Sequence, residues 1–395
     1  MRVLMLAPHV FFAPRGTPLS VFYRAKALGE LGHRVDVLTY HLGQDVDAQN
    51  VRILRAPAVP FIRSLEAGPS MPKMVLDVSL LLRLVWQLLT RRYDVIYTHE
   101  EAALFGAWNR VLSGIPHVYD MHSSMPLQLK DWEFSSARWL RRLFDRMERF
   151  VIRQSDVIVP ICGNLADIAR RIRPNATIVT IENTAVLADE PKPSTTTIKR
   201  LRNGLGLKDR RVVLYTGTFL KIQGLDLLLD AAPAVIKKVP DVLFLLVGGS
   251  QKEIADTQNH VDRLGIGRNV RLVPNRPQEE MPSFYAVADV LVSPRQIGIN
   301  APLKIFSYLN SGKPLVCTDL PIHRQIVQES AAMLVPPSKK AWSDALVNLL
   351  SSAALRKKLG AAGKALVASQ YGYGRYKERL RLALMLATRS AATKR

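Results

Sequence analysis

The apolar run Val3 to Ala7 passes into PHVFFAPRGTPLSVFYRAKALGELG, where Gly16 precedes Thr17 and Pro18 at the head of a helical pattern. Thr17 suits the N-cap of that helix and Pro18 its first turn. Amides left free at a helix start hold phosphate, and Gly16 lets a ligand approach the backbone. The pattern is not the GxGxxG dinucleotide fingerprint, and the same residues suit an ordinary strand-to-helix turn. A corresponding arrangement occurs in YTGTFLKIQGLDLLLDAA, which sets Gly217, Thr218, Lys221 and Gln223 together after another apolar run. Two such loops, opposed, could grip one diphosphate. Histidines close two further runs, His99 in VIYTHE and His122 in VYDMH. A neutral imidazole at a strand end can orient a hydroxyl or donate toward developing charge, although such a histidine also serves structure alone. Glu100 and Glu101, directly after His99, suit a helix N-terminus.

These residues need strands and helices to hold them. Strand-length apolar runs alternate with helical periodicity, the pattern of parallel sheets covered by helices on both faces. In the first half the predicted strands are Val3 to Ala7, Val35 to Tyr40, Val51 to Leu54, Val95 to Thr98, His117 to Asp120, Val157 to Pro160 and Thr177 to Ile181. The stretch ENTAVLADEPKPSTTTIKR then reads as a solvated connection. A second set follows in RVVLYTG, VLFLLVGG, NVRLVPN, ADVLVSP, PLVCT and AAMLVPP, and residues from Ala341 onward read as helices. The expected fold is α/β, with two Rossmann-like doubly wound parallel-sheet domains whose strand ends face each other across a cleft. The expected divisions are residues 1–187, 188–372 and a terminal helix at 373–395.

The 395 residues are 48% hydrophobic and 22% charged, which excludes a largely disordered chain. Cys162 and Cys317 stand in no metal-ligand or disulfide-framework spacing and suit a reducing cytoplasm. The first residues lack the apolar core and cleavage site of a secretory signal and are expected to remain. Net charge is +22, and residues 351 to 395 carry 11 Lys and Arg against the single acid Glu378. Such charge attracts anionic lipid or an anionic substrate; a nucleic-acid reading lacks interleaved aromatics or a binding module. The run Met74 to Leu89 is interrupted by Asp77 and Arg83, so it reads as an amphipathic helix and not a membrane span. Segments Met71 to Arg92 and Ser135 to Gln154 combine apolar residues with arginines, a pattern for lying on an anionic membrane or for packing on a sheet with the arginines solvated.

The loop ending in GTP, LGELGHRVDVLT, VYDMH, YTGTFLKIQGLDLLLDA, LFLLVGG and SPRQIGINAPLKIFSYLNSGKPLV occur in an order and spacing that resemble the family 4 glycosyltransferases, the glycogen synthase-like group 1 enzymes with the GT-B fold. The resemblance spans nearly the whole chain. It implies a retaining enzyme that takes a nucleotide-diphosphate sugar, with the nucleotide mainly on the second domain, the acceptor mainly on the first, and a last helix that returns to the first. It also implies no cofactor and no metal at the diphosphate. Gly16 and Thr17 then match the diphosphate loop, and His122 the histidine beside the donor sugar, with His99 at a neighbouring strand end. Gly248, Gly249, Arg276 and Pro277 fall near the nucleoside.

Departures from the family pattern fall where relatives carry charge. Thr218 and Gln223 stand in place of an Arg and a Lys, which leaves Lys221, Arg295 and Lys304 as candidate cations. Ile299 and Ser307 stand in place of two glutamates that bind sugar and ribose. Gly298, Ile299 and Asn300 could offer backbone or amide groups to sugar and phosphate, and Ser307 a hydroxyl to ribose. The expected function is sugar transfer to a hydroxyl of a glycan, lipid-linked or small-molecule acceptor, in the cytoplasm or at the cytoplasmic face of the membrane; the alternative is a nucleotide-sugar-binding pseudoenzyme of the same fold.

Overall fold

The structure, a computed structural model, describes residues 1–12, 16–65, 70–126, 138–184, 192–297 and 302–393. The chain divides into two compact units, one of Met1–Val186 with Tyr373–Arg395 and the other of Leu187–Gly372. In the first unit the chain runs β1 (Arg2–Ala7), α1 (Gly16–Glu30), β2 (Arg34–Thr39), β3 (Val51–Arg55), α2 (Met71–Thr90), β4 (Val95–His99), α3 (Ala103–Ser113), β5 (His117–Met121), α4 (Arg138–Gln154), β6 (Val157–Pro160) and α5 (Gly163–Ile172). The six strands form one parallel sheet in the order β3-β2-β1-β4-β5-β6. Strands β4 and β5 are buried along their whole length, which is why they read as near-continuous apolar runs and not as alternations.

The second unit continues with α6 (Thr195–Gly204), β7 (Arg211–Thr216), α7 (Leu225–Lys238), β8 (Val242–Val247), α8 (Gln251–Arg263), β9 (Val270–Val273), α9 (Met281–Val287), β10 (Val290–Ser293), α10 (Lys304–Asn310), β11 (Leu315–Thr318), α11 (Pro321–Arg324), β12 (Met333–Val335), α12 (Lys339–Ser351) and α13 (Ala353–Gln370). Its parallel sheet has the order β12-β11-β10-β7-β8-β9. The last helix, α14 (Tyr373–Thr393), belongs to the first unit, where Tyr376, Leu380, Ala383, Leu384 and Ala387 enter the core with Val21, Ala25 and Tyr97. Both sheets reverse strand order once, beside β1 and β4 in the first and beside β7 and β10 in the second. In such sheets ligands bind in the crevice outside the carboxyl ends at that reversal.

Two sequence expectations are corrected. Thr177 to Ile181 forms no strand: it runs beside β6 with one isolated bridge, Ile158 to Ile178. Pro160 accepts from the Ile181 amide but has no N–H to return, so the ladder stops. Thr17 does not cap α1, because helical backbone already begins at Gly16; its hydroxyl instead bonds Glu100.

One buried ion pair ties the first unit together. Arg24, from the middle of α1, donates Nε to Asp120 Oδ2 at 2.7 Å and Nη2 to the Ile181 carbonyl at 2.8 Å. Tyr97 of β4 donates to the same Asp120 oxygen at 2.9 Å, and the guanidinium lies 5.1 Å from the centre of the Tyr376 ring of α14. Neither side chain of the pair touches solvent. Removing one partner leaves an uncompensated buried charge, so Arg24→Ala should lower unfolding free energy by about 3–5 kcal/mol. Urea denaturation measures this, and a loss below about 1 kcal/mol would show that the pair is dispensable.

Candidate functional site

The chemistry-bearing residues of the first unit gather at the carboxyl edge of β4 and β5. Asp120 is the next-to-last residue of β5, His99 ends β4, and their register sets the two opposite each other. His122 follows β5 directly. Its Nε2 lies 3.2 Å from Asp120 Oδ1 and 3.4 Å from His99 Nδ1. Burial would raise the Asp120 carboxyl, but Arg24 and His122 outweigh it and hold the group well below the usual carboxylate range. Burial holds His99 well below the usual imidazole range even though Asp120 pulls the other way, so its ring is neutral. The His99 Nε2 has no hydrogen-bond partner among the described residues. A buried polar atom left so costs about 1–3 kcal/mol, which a ligand hydroxyl could offset.

His99, Asp120 and His122 bring possible metal-ligand atoms within 4.8 Å of one another. Asp120 Oδ2, however, already accepts from Arg24 and Tyr97, and a fixed guanidinium beside it opposes a second cation. The group is better described as a hydrogen-bonded chain that orients His122. An Asp-x-Asp sequence does occur at Asp45 to Asp47, next to the first loop, where the Gln44 amide donates to the Phe11 carbonyl at 3.1 Å; there Asp45 is paired with Arg55 at 2.6 Å.

Directly after His99 the backbone turns sharply: Glu100 has φ +48°, a left-handed conformation that costs a non-glycine residue on the order of 1 kcal/mol. Thr17 and Lys73 hold its carboxylate there. Lys73 also meets Glu101 at 2.6 Å, while Tyr40 donates to Asp77 at 2.5 Å. The two glutamates thus form part of an acid-rich cluster beside His122, beyond the helix-start role their sequence suggested.

In the second unit, Gly217 and Thr218 leave β7 at the reversal. Gly217 has φ +131° and Gly248, after β8, has φ +130°; a Cβ on Gly248 would stand 2.0 Å from the Gly217 carbonyl oxygen. Only glycine permits this approach. Lys304, first residue of α10, reaches the same place: its Nζ is 3.8 Å from the Tyr215 ring centre and 3.3 Å from Gln223 Oε1. It has no carboxylate partner among the described residues. Burial first, and Arg295 second, push its ammonium well below the usual lysine range. Tyr215 donates to the Thr218 carbonyl at 2.6 Å, and Tyr308 of α10 accepts from the Thr216 amide at 2.7 Å, so the strand end is fixed from two sides.

The other sequence candidates divide. Arg295 follows β10 near Lys304 and donates Nε to the Ile297 carbonyl. Lys221 is exposed in a short 3-10 turn, and Gly249 follows Gly248 with φ +77°. Arg276 is drawn to Glu280 at 2.9 Å, and Pro277 precedes a short 3-10 turn. Ser307 is buried within α10. Gly298, Ile299 and Asn300 lie outside the described residues. The sequence reading missed Arg24, Asp120, Tyr97 and Tyr215; a lone arginine among the apolar positions of α1 was the available signal for the first pair.

Burial, then the neighbouring carboxylates of Glu100 and Asp77, push Glu101 up to about 7 against the pull of Lys73. An acid raised in the folded state keeps its proton there, so its stabilising contribution is present at low pH and lost as pH rises from about 4.5 through about 7. Glu101→Gln should therefore gain stability relative to wild type between pH 5 and pH 8, by about 1 kcal/mol or more. Denaturation at both pH values tests it, and a pH-independent difference would contradict it.

Residues 17–184 match the model of a glycosyl transferase 4-like domain, and residues 210–352 that of the glycosyl transferases group 1. The chain is 25% identical to spore coat protein SA of Bacillus subtilis (strain 168) over 46% of its length, a match that spans about half of that protein. It is 24% identical to the phosphatidyl-myo-inositol mannosyltransferase of Mycobacterium leprae (strain TN), over 92% of this chain and 91% of that one. In fold it resembles Anabaena Alr3699/HepE, solved in complex with UDP, with TM-score 0.76 and 17% identity over 98% of this chain and 100% of that one. With both domain models matched in order on two doubly wound parallel sheets, the chain belongs to the family 4 glycosyltransferases of GT-B fold.

Proposed function

We propose that this glycosyltransferase moves a sugar from a nucleotide-diphosphate sugar to a hydroxyl of a glycan, lipid-linked or small-molecule acceptor, with retention of anomeric configuration and without a metal. The observation that carries the reading is that each unit, taken by itself, gathers chemistry-bearing residues at its strand-order reversal. The first unit offers a hydrogen-bonded histidine chain, and the second offers glycine backbone with Lys304 and Arg295. Relatives support the class of donor: HepE was solved with UDP and with UDP-glucose, and the Mycobacterium leprae protein is a mannosyltransferase.

In the reaction the bond from C1 of the sugar to the diphosphate oxygen breaks, and its electron pair stays on that oxygen. The acceptor oxygen bonds to C1 on the same face, and its proton passes to the departing phosphate. No side-chain nucleophile is required. Lys304 and Arg295 meet the growing negative charge, together with the amide of Thr218; the Gly217 amide is spent on the Val247 carbonyl at 2.9 Å. A diphosphate beside Lys304 favours its charged form and opposes the effect of burial. Gly16 and Thr17 border the diphosphate, His122 orients the sugar, and the free edge of His99 satisfies a hydroxyl.

The reading includes a cytoplasmic location, which two buried cysteines outside any disulfide suit, and contact with an anionic membrane. No described helix is long and apolar enough to cross a membrane. Trp108, Leu112, Trp139 and Leu143 are exposed on α3 and α4, whose polar positions include Arg141, Arg142 and Arg146.

With a panel of nucleotide-sugar donors and a membrane extract as acceptor, wild type should release nucleotide, and His122→Ala should lower turnover by roughly 100-fold or more while nucleotide still binds. Unchanged turnover would refute the role of His122, and tight nucleotide binding with no transfer from any donor would favour a pseudoenzyme. Lys304→Met should weaken donor binding roughly 10- to 100-fold by calorimetry; equal affinity would remove it from the diphosphate.

A further inference from the structure

The candidate site occupies the carboxyl edge of the first sheet. At the opposite, amino edge a cavity of about 360 Å3 is lined by Arg2, Arg34, Arg52, Arg91 and Arg92. Strand register sets Arg2 beside Arg34 and Asp36 beside Arg52. Asp36, the acid in this lining, is already engaged: Arg52 donates to it at 2.9 and 2.7 Å, and the Tyr93 hydroxyl at 2.6 Å. The side chains of Arg2, Arg34, Arg91 and Arg92 have no ion-pair partner among the described residues. The cavity is therefore a concentration of positive charge, and it stands on the edge where the glycosyl-transfer reading has no use for it.

Arg91 and Arg92 directly follow α2, which has an unusual outer face. Leu76, Leu80 and Leu84 pack into the core, as an amphipathic helix requires. The opposite face is also apolar: Met71, Met74, Val78, Leu82, Val85 and Leu89 recur every three or four residues and are all exposed, Leu89 to 82%. The stripe contains no charge and runs about 27 Å, the rise of 18 helical residues. At its margin Arg83 stacks over Trp86 at 4.2 Å, a ring and a cation suited to a headgroup layer. A contiguous apolar face of this size marks an interaction surface.

We propose that this is a membrane-docking face: α2 lies along the surface of an anionic phospholipid bilayer on its apolar stripe, and the arginine-lined cavity at its end takes the phosphate of a lipid headgroup. This rests on the membrane contact proposed above and gives it a place in the fold. Charge complementarity selects the bilayer over a protein partner. A long uncharged stripe that ends in unpaired guanidiniums matches acyl chains beneath a layer of phosphates, and arginine forms paired hydrogen bonds to phosphate.

The test uses the full chain in co-sedimentation with vesicles of phosphatidylcholine, with and without phosphatidylglycerol. Wild type should bind the anionic vesicles. The triple variant Arg34→Ala, Arg91→Ala, Arg92→Ala should bind roughly 100-fold more weakly, and Leu82→Ser with Leu89→Ser should also lose binding. All these positions are exposed, so melting temperatures should stay at the wild-type value. The triple variant Arg141→Ala, Arg142→Ala, Arg146→Ala removes equal charge elsewhere and should cost tenfold or less. Equal losses for the two arginine sets would overturn the cavity and leave a general electrostatic contact. Wild-type binding that survives every α2 and cavity change would do the same for the whole face. No binding to any vesicle would overturn both this face and the membrane contact. Inorganic phosphate that raises the melting temperature through the cavity arginines without vesicle binding would assign the cavity to a free anion. A dimer in sedimentation that the α2 variant dissolves would assign the stripe to a second copy of the chain.

Discussion

The buried pairing of Arg24 with Asp120 is the constraint on which the first domain depends. Taking a guanidinium and a carboxylate out of water is costly, and only near-ideal geometry with further hydrogen bonds makes the arrangement tenable. Here α1, β4, β5 and the Ile181 carbonyl all supply bonds, and α14 supplies an aromatic face. Because Asp120 also accepts from His122, the same pair that joins five parts of the chain sets the orientation of the candidate catalytic ring. Stability and site geometry are carried by one carboxylate, whose charge Arg24 maintains.

The second domain meets a different problem. Its phosphate-type loop leaves β7 through Gly217, whose carbonyl lies against Gly248 only because Gly248 has no Cβ, and a Cβ on Gly217 itself would crowd Lys304 Nζ at 3.0 Å. Its cation, Lys304, comes from a helix some ninety residues later and rests on the ring of Tyr215 beside Gln223, with no carboxylate among the described residues to neutralise it. A lysine so placed is costly to keep charged without an anion. Helix α10 is what sets this lysine against the end of β7.

The first domain also separates its functions along the strand direction. The imidazoles of His99 and His122 and strained Glu100 stand at the carboxyl edge, whereas Arg2, Arg34, Arg91 and Arg92, with no acid partner among the described residues, stand at the amino edge. Parallel strands make this possible, since every strand presents the same end to the same side and each edge collects one kind of chemistry. Helix α2 spans between the edges and carries an apolar face outward, so a surface contact at one edge need not obstruct chemistry at the other.

The amino-acid sequence by itself determined both parallel sheets and the strand ends that bear His99, His122, Gly217 and Gly248, because doubly buried strands must be apolar throughout and their ends must turn. It could not distinguish a histidine that serves chemistry from one that serves packing. It mistook Thr177 to Ile181 for a strand, since an apolar run does not reveal that its neighbour's proline cannot complete a ladder. The Arg24–Asp120 bond, the reach of Lys304 to Tyr215 and the exposure of the second apolar face of α2 were decided by tertiary structure alone. Each depends on which distant residue lies opposite in space, and helical or strand periodicity encodes only which side of its own element a residue faces.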